Sequence, residues 1–301
     1  NWRDELEKDG QPADFDAFVR HVHAEHLPQA VLIDCTASQD VADRYADLMG
    51  AGMHVITPNK KGNTGPYAYY RSMKERRRAA GARYLYETTV GAGLPIIHTL
   101  RDLKETGDVI LAVEGVFSGT LAYLFNLFDG SVPFSQIVGE ARGKGYTEPD
   151  PRDDLSGMDV ARKVVILGRE MGLELELEDV EVESLVPEGL AEGSVEEFLA
   201  GFAAYDDAMT ERLRAATDAG RVLRYVGRLD ADGRASARLE ELPADHAFAA
   251  IALTDNIVQF VTHRYRDNPL IVRGPGAGPA VTAAGVFSDL LRLSSYLGAN
   301  L

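Results

Sequence analysis

The stretch VLIDCTASQDVADRYADLMGAGMHVIT, residues 31–57, decides the fold. Val31–Cys35 (VLIDC) is a short apolar run and reads as a buried strand. Gln39–Met49 (QDVADRYADLM) returns to helical period, and His54–Thr57 (HVIT) reads as a second strand. Further out, Pro66–Ala80 reads as a helix whose basic C-terminal end suits the helix dipole. Arg83–Val90 (RYLYETTV) reads as a third strand. Strand, helix, strand, helix and strand in that order predict parallel βαβ units with right-handed crossovers. Upstream, Asp14–Leu27 spaces Phe15, Phe18, Val19 and Val22 as one face of a helix.

Downstream of residue 93 the pattern changes. Pro95–Glu105 reads as a helix, Val109–Phe117 as a strand, and Thr120–Phe128 as an apolar helix. The acidic stretch GYTEPDPRDDLSGMDVARK, residues 145–163, runs into a helix over Met158–Met171. Pro149 and Pro151 are expected to stiffen the stretch and exclude helix from it. Acidic alternation follows over Leu173–Leu185, then a long helix from Val195 to Ala219. Arg221–Leu229, Ala235–Leu242 and Asn256–His263 alternate like antiparallel strands, with DADG (230–233) as a turn between the first two. The glycine-rich RGPGAGPA (273–280) leads into a closing helix over Val281–Leu297. The expected fold is α/β. A partial, N-terminally truncated Rossmann-type parallel sheet occupies residues 1–93, completed by 274–301, and an α+β unit occupies 94–273. The truncation follows from the absence of a G-x-G-x-x-G turn before Val31, where a dinucleotide-binding domain places its pyrophosphate loop.

Composition narrows the function. The chain has 31 Lys and Arg against 47 Asp and Glu, a formal charge of −16. Nucleic acid and anionic membranes need a basic field, so neither is an expected partner. Anionic ligands must be met locally, by single lysines or helix N-termini. The one cysteine, Cys35, excludes an internal disulfide and suggests a reducing compartment, and its apolar neighbours predict a buried structural thiol. No run reaches the roughly 18 apolar residues of a membrane span, and no signal peptide is visible.

Candidate chemistry concentrates in 145–163. Asp159 and Lys163 lie one helical turn apart, on one face, beside the apolar stripe of Val160, Val164 and Leu167. A lysine at the border of the core has a movable pKa and can deliver a proton. The competing structural reading makes Ser156 an N-cap with Asp159 at N3, and the pair a plain ion pair. Glu148, Asp150, Asp153 and Asp154 are either a solvated acidic loop or a stiff recognition loop; calcium would fit the charges, but the loop lacks EF-hand spacing. Thr57–Lys61 (TPNKK) follows a parallel strand, where open α/β sheets bind ligands. Ser118-Gly119-Thr120 is a cap or a ligand contact. Glu87, before TTVGAGLP, is a helix cap or a cation ligand with nearby carbonyls.

Taken in order, DCTAS, TPNKK, ETTVGAGLP, GVFSGTLAYLF, GYTEPDPRDDLSGMDVARK and GAGPAVTAAGVF resemble homoserine dehydrogenase over nearly the whole chain. The region around VLRYVG is most like the C-terminal dehydrogenase part of bifunctional aspartokinase–homoserine dehydrogenases. The resemblance implies NAD(P)-dependent interconversion of L-aspartate 4-semialdehyde and L-homoserine, in threonine and methionine biosynthesis. It makes 94–273 the catalytic and dimerisation domain. It implies that Lys163 donates the proton, with Asp159 orienting it and Lys61 sharing proton handling. Glu148, Asp153, Asp154, Tyr146, Thr120 and Asp159 fall on substrate positions. Thr36, Lys61, Gly145 and Gly278 fall on positions for NADP or NAD. Glu87, Val90, Ala92 and Leu94 fall on a monovalent-cation site for sodium or potassium. A cytoplasmic homodimer or homotetramer is expected, fused to an N-terminal aspartokinase in the full protein. The family's first strand and glycine loop are expected upstream of Asn1. The alternatives are another lysine-dependent NAD(P) reductase, or an inactive fragment lacking the cofactor loop.

Overall fold

A computed structural model describes residues 1–22 and 29–298. Helices α1 (Trp2–Asp9) and α2 (Phe15–Val22) lead into β1 (Val31–Ile33). Residues 23–27 of the expected first helix lie outside the described residues. After β1 come α3 (Gln39–Ala42), α4 (Tyr45–Gly50), β2 (His54–Ile56), α5 (Lys61–Thr64), α6 (Tyr67–Ala80) and β3 (Tyr84–Leu85). The three strands pair in parallel in the order β1–β2–β3, as the βαβ pattern predicts. Two expectations change here. Gln39–Met49 splits into α3 and α4 at Asp43–Arg44. The third strand stops at Leu85, and Glu87–Thr89 form a 3₁₀ turn.

The expected burial of Cys35 does not hold, because this thiol is exposed. The strand β1 is an edge of the sheet and ends at Ile33, itself 43% exposed. Cys35 therefore lies past the strand, on open backbone.

The second unit opens with α7 (Ile96–Glu105), β4 (Ile110–Val116), α8 (Gly119–Leu127) and α9 (Phe134–Gly143). It continues with α10 (Pro151–Leu155), α11 (Met158–Met171), β5 (Val180–Val182), α12 (Val195–Phe202) and α13 (Asp206–Asp218). It ends with β6 (Arg221–Asp230), β7 (Ala235–Pro243), β8 (Asp255–Thr262) and β9 (Leu270–Pro275). Its sheet runs β5–β7–β6–β4–β8–β9, antiparallel except for the parallel pair β5–β7. Both α8 and α11 pack on β6, burying Leu121, Val160, Val164 and Leu167. The long helix expected over 195–219 breaks at Ala203–Tyr205, where Asp206 takes the N–H and hydroxyl of Ser135 on α9. The closing helix α14 (Pro279–Tyr296) returns to the parallel sheet, where Val286 and Leu293 cluster with Ile56 and Leu85. Among the described residues, no helix is long and apolar enough to cross a membrane.

Candidate functional site

The lysine helix begins differently from the capping-box reading. Gly157 is the N-cap of α11, at φ +74°, where any side chain would collide with Tyr225. Ser156 instead ends α10 and donates to the Asp153 carbonyl. Asp159 is thus free of capping duty. Its Oδ2 lies 2.7 Å from Lys163 Nζ, and its Oδ1 lies 3.2 Å from Lys60 Nζ. Lys163 also donates to the Phe117 carbonyl at 2.7 Å. An ammonium has three protons, so two are held by protein and the third remains for a ligand.

The electrostatics suit a proton donor. Lys163 is buried, and burial lowers its pKa, with Lys60 pushing the same way and Asp159 opposing. Burial works against ionisation of Asp159 as well, but Lys163 and Lys60 together outweigh it and hold the carboxyl well below its usual range. The result is an ammonium that gives up its proton more readily than an ordinary lysine.

A cavity of about 810 Å³ opens over this triad. Glu148, Asp153 and Asp154 line one wall, with Thr120 and Ser118 from the start of α8. Ser118 caps α8 through the Leu121 N–H, so its sequence reading as a cap is what forms. Asp154 accepts the Glu148 N–H at 2.8 Å, and burial, aided by Glu148 and Asp159, pushes its carboxyl up to about 6. The acidic loop is braced at Asp150 and Asp154, while Glu148 and Asp153 stay exposed. Arg152 grips Asp150 at 2.7 Å and reaches the carbonyls of Leu190, Ala191 and Gly193. The expectation that Pro149 and Pro151 exclude helix fails in part. Asp150 is an N-cap, Pro151 occupies the first turn, and α10 follows. Proline is tolerated there because that N–H has no helical partner anyway.

The two lysines of TPNKK separate. Lys60 reaches Asp159, while Lys61 lies outside the cavity lining and starts α5, its N–H donated to Asn59 Oδ1. Asn59 is fixed in turn by Asp34 Oδ2 and the Ser38 carbonyl. Neighbouring residues at a helix start point about 100° apart, so only one of the pair can face the cavity. Arg169, fully buried on α11, ties this segment to the lysine helix. It donates to the carbonyls of Asn63 at 2.7 Å, Gly65 at 2.8 Å and Leu175 at 2.9 Å, and pairs with Glu176. Glu176 also accepts the Tyr67 N–H. TPNKK stands out in the sequence, but not which of its lysines reaches Asp159, and nothing there marks Arg169, whose partners Asn63 and Gly65 are distant along the chain.

Gly276, Ala277 and Gly278 bring the N-terminus of α14 to the same cavity, together with Thr88 and Thr89. The buried Thr88 Oγ1 has no partner among the described residues. Next to it lies an apolar hollow of about 480 Å³ between Ile33, Cys35, Pro58, Val286, Phe287 and Leu290. A helix N-terminus beside a polar cavity and an apolar slot fits an anionic, flat-ringed cofactor. Of the other expected residues, Thr36, Gly145 and Tyr146 do not line the cavity. Thr36 is exposed beyond β1, Gly145 follows α9 at φ +73°, and Tyr146 packs at a tilt against Tyr123 while its carbonyl accepts the Thr120 hydroxyl.

Glu87 is enclosed. Its carboxylate accepts the N–H of Ile97 at 2.7 Å and of His98 at 2.9 Å, capping α7. Burial pushes this carboxyl up to about 8, with the Asp289 charge adding to the rise. Each oxygen accepts one N–H, and His98 Nε2 lies 3.3 Å from Oε2; a carboxylate oxygen has a second acceptor position, so the capping role and a cation contact are both open to this side chain. Nearby, Ala92 holds a left-handed φ of +52°, and it lines the cavity while Val90 and Leu94 do not. The Leu94 carbonyl already accepts from the Ile96 N–H.

Residues 95–291 match the family model for homoserine dehydrogenase, and residues 1–87 match that for the homoserine dehydrogenase NAD-binding domain. The chain is 56% identical over 301 residues to chloroplastic bifunctional aspartokinase/homoserine dehydrogenase 2 of Zea mays, covering 99% of this chain and 33% of that protein. It is 42% identical to homoserine dehydrogenase of Schizosaccharomyces pombe, covering 99% of this chain and 81% of that protein. A Candida auris protein of unknown function has a crystal structure that matches with a TM-score of 0.90 and 39% identity, over 94% of this chain and 81% of that one. The chain thus spans about a third of the length of the curated bifunctional relatives it matches.

Proposed function

The chain belongs to the homoserine dehydrogenase family, and from that premise we propose that it interconverts L-aspartate 4-semialdehyde and L-homoserine with NAD or NADP. The observation that carries this is the Lys60–Asp159–Lys163 triad, with one Lys163 proton free, on the floor of a cavity walled by carboxylates.

The substrate is an amino acid bearing an aldehyde, and each part has a counterpart. Glu148, Asp153 and Asp154 offer anionic oxygens to the ammonium. The α14 N-terminus at Gly278, the apolar hollow and Thr88 would hold the nicotinamide cofactor, which when bound supplies or accepts the hydride. As negative charge grows on the aldehyde oxygen, the free N–H of Lys163 stabilises it and then transfers its proton. Lys60 adds a second positive charge across Asp159. In the oxidative direction, the Lys163 amine takes the hydroxyl proton. Asp159 holds Lys163 in place throughout and stays ionised. A proton donor so placed contributes about 10²–10⁴-fold.

The monovalent cation expected at residues 87–94, held by Glu87 and the carbonyls of Val90, Ala92 and Leu94, belongs to the same proposal, and no step depends on it. A domain division at residues 93 and 274, a homodimer or homotetramer, fusion to an aspartokinase, a place in threonine and methionine synthesis, and a cytoplasmic setting belong to the same proposal and rest on the family. The test is reduction of aspartate semialdehyde by the full-length protein, compared with simple aldehydes and 2-keto acids. Preferred turnover of the semialdehyde is expected. Turnover of the others alone would replace this reading with that of a different lysine-dependent reductase.

A further inference from the structure

A second cavity, of about 370 Å³, lies at the free edge of β3, between α6, α7 and the end of α14. It shares no lining residue with the catalytic cavity. Five cations line it, Lys74 and Arg77 from α6, Arg83 beside β3, and Arg101 and Lys104 from α7, against three carboxylates, Asp102, Glu105 and Glu170. In a chain of net charge −16 this is a local inversion of sign.

The way these cations are held is informative. Arg101 alone is neutralised, by a two-pronged contact with Glu170. Among the described residues, Lys74, Arg77, Arg83 and Lys104 have no carboxylate within 4.0 Å. Lys74 sits over the Tyr70 ring at 5.3 Å, and Arg83 over the Tyr296 ring at 4.8 Å. An aromatic face orients a cation without cancelling its charge. The cations also act on one another: burial lowers the Lys104 pKa, Glu170 opposes it, and Lys74 and Arg101 push it further down. The ladder to β2 uses the carbonyls of Arg83 and Leu85, so the peptide groups of Tyr84 face the other way, along this edge. Oriented, unneutralised arginines and lysines around an enclosed space of this size suit a compact oxyanion with more than one charge, which guanidinium groups bind in a forked geometry.

We propose that this cavity is a second ligand site, separate from the catalytic one, for a phosphate-type oxyanion. The probe is inorganic pyrophosphate, titrated against the full chain by ³¹P line broadening at ionic strength held constant with NaCl. Saturable binding is expected. Because pyrophosphate could also enter the catalytic cavity, three variants locate it. Lys74→Glu with Arg77→Glu, both on the outer surface of α6, should weaken binding at least about tenfold, and Arg83→Glu on the opposite wall should do the same. Lys60→Ala, in the catalytic cavity, should leave the affinity within about twofold. Retained thermal unfolding temperatures show that the variants fold. The proposal is overturned if NaCl alone reproduces the effect, if both reversals bind as the parent does, or if only Lys60→Ala loses binding. The cations would then serve only the C-terminal ends of α6 and α7, where the helix dipole favours positive charge.

Discussion

Asp159→Asn removes one charge from the triad and almost nothing of its shape. The carboxylate stands 2.7 Å from Lys163 and 3.2 Å from Lys60. A unit pair in contact attracts by roughly 4 kcal/mol at an effective dielectric of about 20. Asp159 keeps 43% of its side chain exposed, so solvent screens part of this, and halving it leaves roughly 2 kcal/mol. Each 1.4 kcal/mol is about a factor of ten, so the ratio of ammonium to amine at Lys163 should fall about thirtyfold. Burial and Lys60 already lower the proton affinity of this group, and in the variant nothing opposes them. The amine therefore loses its proton at a lower pH than in the parent. In the reductive direction kcat should drop by up to about 30-fold at the alkaline end, where the amine predominates in both proteins, and the loss should shrink as the pH falls, because acid restores the donor. The assay is kcat and kcat/KM for aspartate semialdehyde reduction across about pH 5.5 to 9.5. A loss of equal size at every pH would show that Asp159 only positions substrate. No loss would show that Lys163 does not depend on it.

Three further outcomes follow from the same geometry. Lys60→Ala should lower kcat by about 10²-fold, since it removes a charge aimed at the developing oxyanion, while Lys61→Ala stays within about threefold; the reverse order would restore Lys61 to the role the sequence suggested. Glu87 holds its proton to about pH 8 in the folded protein, whereas an unfolded glutamate loses it near 4.3. The folded state binds more protons between those values, so stability should fall by roughly 2–4 kcal/mol as the pH rises from about 5 to 8, and Glu87→Gln should flatten that slope in urea unfolding. Parallel slopes in parent and variant would reject this account of Glu87. Arg169→Met keeps the volume but strips donors from three buried carbonyls and Glu176, which should cost roughly 3–5 kcal/mol in unfolding free energy. A loss below about 1 kcal/mol would mean that water replaces the guanidinium.

Local rules made most of the fold legible and failed where distant contacts decide. Residues 31–57 show their βαβ order because helix and strand periods are local properties, and the β6–β7 hairpin shows itself through alternation and DADG. Edge position is not local. Nothing within VLIDC says that β1 lacks a neighbour on one side among the described residues, so Ile33 and Cys35 look buried and are exposed. The break at Ala203–Tyr205 is likewise set from α9, by Ser135 on Asp206. The start of α10 was readable, since Asp-Pro is an N-cap followed by a tolerated proline, a signal the stiffness of two prolines obscured.

The site divides along the same line. The Asp159–Lys163 pair is one helical turn, and sequence spacing alone puts it on one face. What makes that pair chemical is not local. The Phe117 carbonyl that takes one Lys163 proton also takes one from Asn256, which is 139 positions away and fully buried. Gly276 packs so closely on Asn256 that a β-carbon there would lie 2.0 Å from its side chain. The glycine-rich turn before α14 therefore presses Asn256 onto the carbonyl that aims Lys163. The turn that brings the α14 N-terminus to the cavity thus also helps hold the proton donor. Substituting Gly276 should disturb proton transfer and cofactor binding together, whereas at Gly278 a β-carbon strains the backbone (φ +118°) but meets only Val281 at 3.9 Å and not Asn256, so the cofactor should be affected more than proton transfer. Separate measurements of cofactor affinity and kcat for Gly276→Ala and Gly278→Ala test this, and equal patterns in the two variants would refute the link through Asn256.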